Sequence, residues 1–373
     1  MRPRSRRLGY PLVVMALALA ASTPLPVSAS AAPSHRPSPP RPWVTLCLKL
    51  KLMPQHRRIR CHFPPAPRLT QPARQAQARR IPTINELTIP TSPATPIGIT
   101  AGPDDALWFT ENYANKIGRV TTAGLFTEYT IPTTDSQPAH ITTGPDGAVW
   151  FTEAAANKIG RITTSGTITE YTIPTADSYP WGITAGPDGN LWFVETVGNK
   201  IGMITTSGTI TEYALPTSGM YPMRITAGPD DNLWFTEPLG SSVGKITTSG
   251  TITEYAVPSS GAMPIGITPG PDGKLWYTDA NGKVSKVTTS GSFTEYTLSD
   301  PDSFPWGITV GSDNQLWFVE QSANNVASSS TSGIINEYAL PTVVSGPFDI
   351  APGSDDNLWI TEDYVDQIAV VTP

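Results

Sequence analysis

Gly182-Ile-Thr-Ala-Gly-Pro-Asp-Gly-Asn-Leu-Trp-Phe-Val-Glu195, with Asn199-Lys-Ile-Gly202, Thr206-Ser-Gly208 and Thr209-Ile-Thr-Glu-Tyr213 behind it, decides the architecture. Four short runs rich in β-branched and aromatic residues are separated by turn residues. Gly-Pro-Asp-Gly suits a tight connection because Pro fixes φ while Asp and Gly tolerate left-handed backbone; Thr-Ser-Gly makes the second hairpin. The unit reads as four antiparallel strands in roughly 42 residues.

Working outward, the same unit recurs. Trp108, Trp150, Trp192, Trp234, Trp276, Trp317 and Trp359 mark seven copies, spaced 42 residues apart with one interval of 41. Four strands at this period form the blade of a β-propeller, whose blades usually number about four to eight. The last copy ends at Pro373 after Gln367-Ile-Ala-Val-Val371, without a fourth strand. Ile84-Asn85-Glu86-Leu87 is of the same type as Ile335-Asn336-Glu337-Tyr338 and precedes the first Pro-x-x-Ile, at Pro96. The expected fold is therefore all-β: a seven-bladed propeller over residues 82–373, its ring closed by an N-terminal strand that completes the last blade and leaves no free edge.

Charge divides the chain. Residues 1–80 carry fifteen Lys or Arg and no acid, whereas residues 81–373 carry ten basic side chains and all thirty-one acidic ones. Arg2, Arg4, Arg6 and Arg7, an apolar run from Leu12 to Ala21 and the small residues Ala29-Ser30-Ala31 read as a secretory signal peptide over residues 1–31. Residues 32–81 read as a Pro- and Arg-rich basic linker with too little apolar content to fold. The expected destination is secreted or extracytoplasmic, where Cys47 and Cys61 have the option of a disulfide. No apolar run approaches the roughly 20 residues of a membrane span. The acidic body argues against a nucleic-acid partner, and a monomer is expected.

Candidate chemistry is sorted by repetition, because a side chain present in every blade serves the scaffold, whereas one site on the axis requires departures from the repeat. The acid after each Trp-aromatic pair (Glu111, Glu153, Glu195, Glu237, Asp279, Glu320, Glu362) occurs seven times. These acids fit a structural role beside Lys116, Lys158 and Lys200; alternatively a subset, Glu153 and Glu195, holds a hard divalent cation through carboxylate oxygens. The two central positions of Pro-x-x-Ile vary: Ile97-Gly98, Ala139-His140, Trp181-Gly182, Met223-Arg224, Ile265-Gly266, Trp306-Gly307 and Phe348-Asp349. His140, Arg224 and Asp349 are the polar exceptions. His140, the one histidine beyond residue 80, is a candidate base or a local hydrogen-bonder. Trp181, Trp306 and Phe348, with Met223, form either an apolar rim for a flat ring or a plug in the channel. No nucleophile elbow, zinc spacing, phosphate loop or dinucleotide fingerprint is present.

Residues 182–193 followed by Asn199-Lys-Ile-Gly202 resemble the streptogramin B lyases, also called virginiamycin B lyases, and the similarity extends over residues 82–373. The resemblance implies a seven-bladed propeller. It also implies an activity, the Mg²⁺-assisted elimination that opens the ester of a cyclic depsipeptide antibiotic, with a histidine as general base. Active members carry Pro-His in two adjacent blades, one pair preceded by Glu, and a metal-binding acid after Trp-Phe. Here the histidine slots hold Ile97, Ala139, Trp181, Met223, Ile265, Trp306 and Phe348. The residues before each Pro are Thr95, Gln137, Tyr179, Tyr221, Met263, Phe304 and Gly346. His140 is displaced by one position, which on a regular strand turns it to the other side. Two expectations follow. The first is a binding module for a small molecule, glycan, cell-wall fragment or peptide at the channel mouth, with Arg224, Asp349, Trp181, Trp306 and Phe348 as ligand contacts. The second is a Mg²⁺-dependent carbon-oxygen lyase or lactonase with a displaced His140 base and Glu153 and Glu195 on the metal.

Overall fold

The computed structural model describes residues 81–373, which form seven four-stranded antiparallel sheets. The signal peptide, the linker, Cys47 and Cys61 lie outside the described residues. Strands are numbered in chain order. After β1 (Thr83–Thr88), blade I comprises β2 (Pro96–Ala101), β3 (Leu107–Glu111), β4 (Lys116–Val120) and β5 (Phe126–Thr130). The innermost strands of blades II to VII are β6 (Pro138–Thr143), β10 (Pro180–Ala185), β14 (Ile225–Ala227), β18 (Pro264–Pro269), β22 (Pro305–Val310) and β26 (Pro347–Pro352).

Blade VII is closed as the repeat requires. Its order is β1-β28-β27-β26, where β27 is Leu358–Glu362 and β28 is Gln367–Thr372. β1 pairs antiparallel along the full length of β28, from Thr83 opposite Thr372 to Thr88 opposite Gln367. Both chain ends of the propeller thus sit in one sheet, and β28 presents no unpaired edge.

Each blade is built by the same local rules. The second strand, Leu-Trp-Phe-Thr-Glu in blade I, is buried along its whole length because neighbouring blades cover both its faces. Trp108 donates Nε1–H to Asp104 Oδ1 of the Gly-Pro-Asp turn at 2.9 Å and stacks on Tyr129 at 5.6 Å. Phe109 lies over Gly118, where a Cβ would stand 2.1 Å from the ring, so the glycine of Asn-Lys-Ile-Gly makes room for the aromatic core.

Threonine joins the blades. Thr110 Oγ1 donates to Ala139 O of blade II at 2.8 Å and accepts from Gly98 N–H at 2.9 Å. Thr361 Oγ1 makes the corresponding bond to Ile97 O at 2.8 Å, so the seam between blades VII and I is held like the others. Val194 and Val319 replace this threonine in blades III and VI. In blade III the backbone takes over, with Gly182 N–H donating to Met223 O at 3.1 Å.

Candidate functional site

Six inner strands carry a register break between the Pro and the Ile of Pro-x-x-Ile. In blade II, Pro138 pairs with Glu153 and Ile141 with Phe151, leaving Ala139 and His140 together opposite Thr152. Such a bulge suspends alternation of side chains. Both central positions are thereby brought to the axis, and the regular-strand expectation that His140 turns away does not hold.

The first of the two positions builds an aromatic layer. Trp306 and Phe348 stack with centroids 4.4 Å apart, and Trp181, from the far side of the ring, reaches Phe348 at 6.5 Å. Their relative exposures are 1%, 6% and 2%, so the three rings fill the axis rather than stand open as a rim. The Trp306 indole N–H is held by Gln321 Oε1 at 3.1 Å.

The second position builds a polar layer. His140 Nε2 lies 3.2 Å from Asp349 Oδ2. Arg224 faces the same carboxylate with Nη1 at 3.2 Å from Oδ2 and Nη2 at 3.2 Å from Oδ1. Ile99 N–H adds a bond to Oδ2 at 3.3 Å. Blades II, IV and VII supply these groups, and Gly occupies the same slot in the other four blades. A Cβ at Gly98 would stand 2.8 Å from Ala139 O, and one at Gly266 would stand 2.3 Å from Trp306 O. At both glycines a side chain would meet the backbone of the next blade, and no two of the three polar residues are in adjacent blades.

Electrostatics fix the charge state of this trio. Burial, reinforced by the Arg224 charge, holds the His140 imidazole well below its ordinary range, so it is neutral near pH 7. Burial raises the Asp349 carboxyl, with Arg224 opposing; burial lowers Arg224, with Asp349 opposing. An Arg–carboxylate pair beside a neutral imidazole leaves no net buried charge. Between this trio and the Gly-Pro-Asp-Gly end of the propeller lies a cavity of about 230 Å³, lined by Thr100, Thr142, Thr184, Thr226 and Thr309.

The repeated acids sit elsewhere. Glu153 and Glu195 end the second strands of blades II and III, beside Lys158 and Lys200 respectively, and both are fully buried. Burial pushes both up to about 8, with Glu170 and Glu212 adding to the effect. Among the described residues no three His, Cys, Asp or Glu side chains converge as metal ligands. The donor set implied for Mg²⁺ therefore does not fit the residues present, and His140 is paired with Asp349 rather than with Glu153 or Glu195. The trio itself escaped the sequence reading as a unit because 209 residues separate His140 from Asp349; its signal was the shared departure from Gly in one register.

Seven four-stranded blades around a plugged axis with one buried polar cluster define a seven-bladed propeller in which a single level of the axis is individualised. The chain belongs to the virginiamycin B lyase family, whose pattern it matches over residues 82–371. It is 42% identical to a selenomethionine-substituted virginiamycin B lyase from Staphylococcus aureus, with a TM-score of 0.76, covering 79% of this chain and 100% of that one. A catalytically inactive histidine-to-alanine variant of the S. aureus enzyme, solved with quinupristin, is 41% identical with a TM-score of 0.76 over the same shares, 79% and 100%. A streptogramin B lyase structure is 38% identical with a TM-score of 0.75, covering 78% of this chain and 97% of that one.

Proposed function

We propose that this chain is an extracytoplasmic member of the virginiamycin B lyase family that binds a ring-bearing ligand, a peptide, glycan or cell-wall fragment, without opening an ester. The observation that carries this reading is the aromatic layer. The slots that hold the family's base are filled by Trp181, Trp306 and Phe348 packed across the axis, with no histidine or glutamate at that level. Above this plug, on the face where the inner strands begin, Tyr179 and Phe304 are half-buried and Tyr221 is exposed. Flat side chains in this setting stack on sugar or aromatic rings. A tryptophan-fluorescence titration with quinupristin, a chito-oligosaccharide and a muropeptide tests the reading. A saturable change with one of them, weakened by Tyr221→Ala, is expected; no change with any of the three contradicts it.

One observation favours a second reading. His140 Nε2 faces Asp349 at 3.2 Å, and the pair lines a cavity. An imidazole oriented by a carboxylate is the arrangement of a general base, and in that reading His140 acts from the polar layer on a lactone or depsipeptide ester.

A further inference from the structure

Acidic side chains outnumber basic ones thirty-one to ten in residues 81–373. All ten Lys and Arg there lie within 4.0 Å of a carboxylate. On the face where the inner strands begin, Lys116, Lys158, Lys200 and Lys283 are held by Glu128, Glu170, Glu212 and Glu295. Arg224 is committed to Asp349 on the axis, and the remaining five pair with aspartates of the turns at the opposite face. The described surface offers no uncommitted Lys or Arg.

The first of those faces also carries most of the exposed large apolar side chains. Tyr113, Val197, Leu239 and Tyr364 occupy the turns between second and third strands, and Tyr221 and Val343 the loops that enter inner strands. Tyr113 is 73% exposed and Tyr364 51%. Backbone bonds tie the two sets of loops together: Tyr113 N–H donates to Ala94 O, Val197 to Ser178 O and Tyr364 to Ser345 O. The same loops carry the exposed Asp135, Asp177, Asp300 and Asp302, none of which has a Lys or Arg partner. Exposed apolar groups thus recur from blade to blade around this face, beside the acids. Acids without counter-charges fix the sign of what the face attracts.

We infer that this face recognises a cationic amphipathic peptide, its apolar side chains on the tyrosines and its Lys or Arg groups over Asp135, Asp177, Asp300 and Asp302. The inference deepens the proposed binding role at the same face by specifying the charge and kind of ligand. An anionic glycan or an anionic lipid surface meets unpaired acids there and lysines already held by glutamates.

Isothermal titration of the full chain with three short peptides, alternating Leu with Lys, Gln or Glu, tests it. The Lys-Leu peptide is expected to bind, to weaken by about tenfold from low to high salt as screening removes the attraction, and to outcompete the other two. Tyr113→Ser with Tyr364→Ser, and separately Asp177→Asn with Asp302→Asn, alter exposed side chains only, and each pair is expected to weaken binding severalfold without changing the melting temperature. Equal binding of the Glu-Leu peptide, no binding of any, or full affinity in both paired variants overturns the inference. Parallel mass spectrometry of quinupristin separates the two claims: an opened antibiotic refutes the non-lyase reading and leaves the charge preference standing.

Discussion

Asp349→Ala removes the carboxylate on which Arg224 and His140 converge. Arg224 is 5% exposed; its Nη1 donates to Asp349 Oδ2, and its Nη2 lies 3.2 Å from Oδ1. Breaking a buried pair by deleting one partner costs about 3–5 kcal/mol, because the remaining guanidinium keeps its charge without a counter-ion. His140 adds little, since it is already neutral. In a domain of this size about 1 kcal/mol corresponds to about 2–4 °C, so the melting temperature should fall by roughly 6–20 °C. Scanning calorimetry and urea unfolding are the assays. Adding Arg224→Met to Asp349→Ala removes the orphaned charge while keeping the volume, and should restore more than half of the loss. A single-variant loss below about 1 kcal/mol, or a double variant as unstable as the sum of its parts, refutes the account of the polar layer.

Other consequences concern the scaffold. Burial pushes Glu111, Glu153 and Glu195 up to about 8, and Glu237, Glu320 and Glu362 up to about 7, from an ordinary 4.5. The folded chain therefore holds these protons more tightly than the unfolded chain, and the stability this confers is lost as pH rises from about 4.5 through 8. Melting temperature should be higher at pH 5 than at pH 8.5, and Gln at 111, 153 and 195 together should flatten the slope; a rise over that interval contradicts the burial argument. Gly266→Ala places a Cβ 2.3 Å from Trp306 O in the next blade and should destabilise by about 1–3 kcal/mol in urea unfolding, whereas an unchanged midpoint means the blades are not so closely apposed. Deleting residues 81–88 uncovers β28 and should give concentration-dependent association by light scattering; a stable monomer means that β1 is not needed to protect the edge.

The scaffold was legible because it is written seven times over. Trp spacing, turn residues and the missing last strand gave blade number and closure without reference to tertiary contacts. The axis was only half legible. The slots occupied by His140, Arg224 and Asp349 stood out as departures from Gly, but a bulge, not visible as a pattern of alternation, decides where His140 and Asp349 point, and Arg224 lies just before β14, outside any strand. Trp181, Trp306 and Phe348 were marked as axial, yet whether they line a rim or close it depends on distances between blades III, VI and VII. Glu153 and Glu195 looked available as ligands because carboxylates recur at the same end of every second strand and suit a hard divalent cation. Neighbouring blades bury them, and their lysines are committed to Glu170 and Glu212.

The most direct test is mass spectrometry of quinupristin incubated with the purified full chain, with Mg²⁺ or with EDTA, beside a His140→Ala variant. The account predicts intact antibiotic in every tube. Ring opening without change of mass that requires both Mg²⁺ and His140 would contradict it and make the His140–Asp349 pair a catalytic base working from the second layer of the axis.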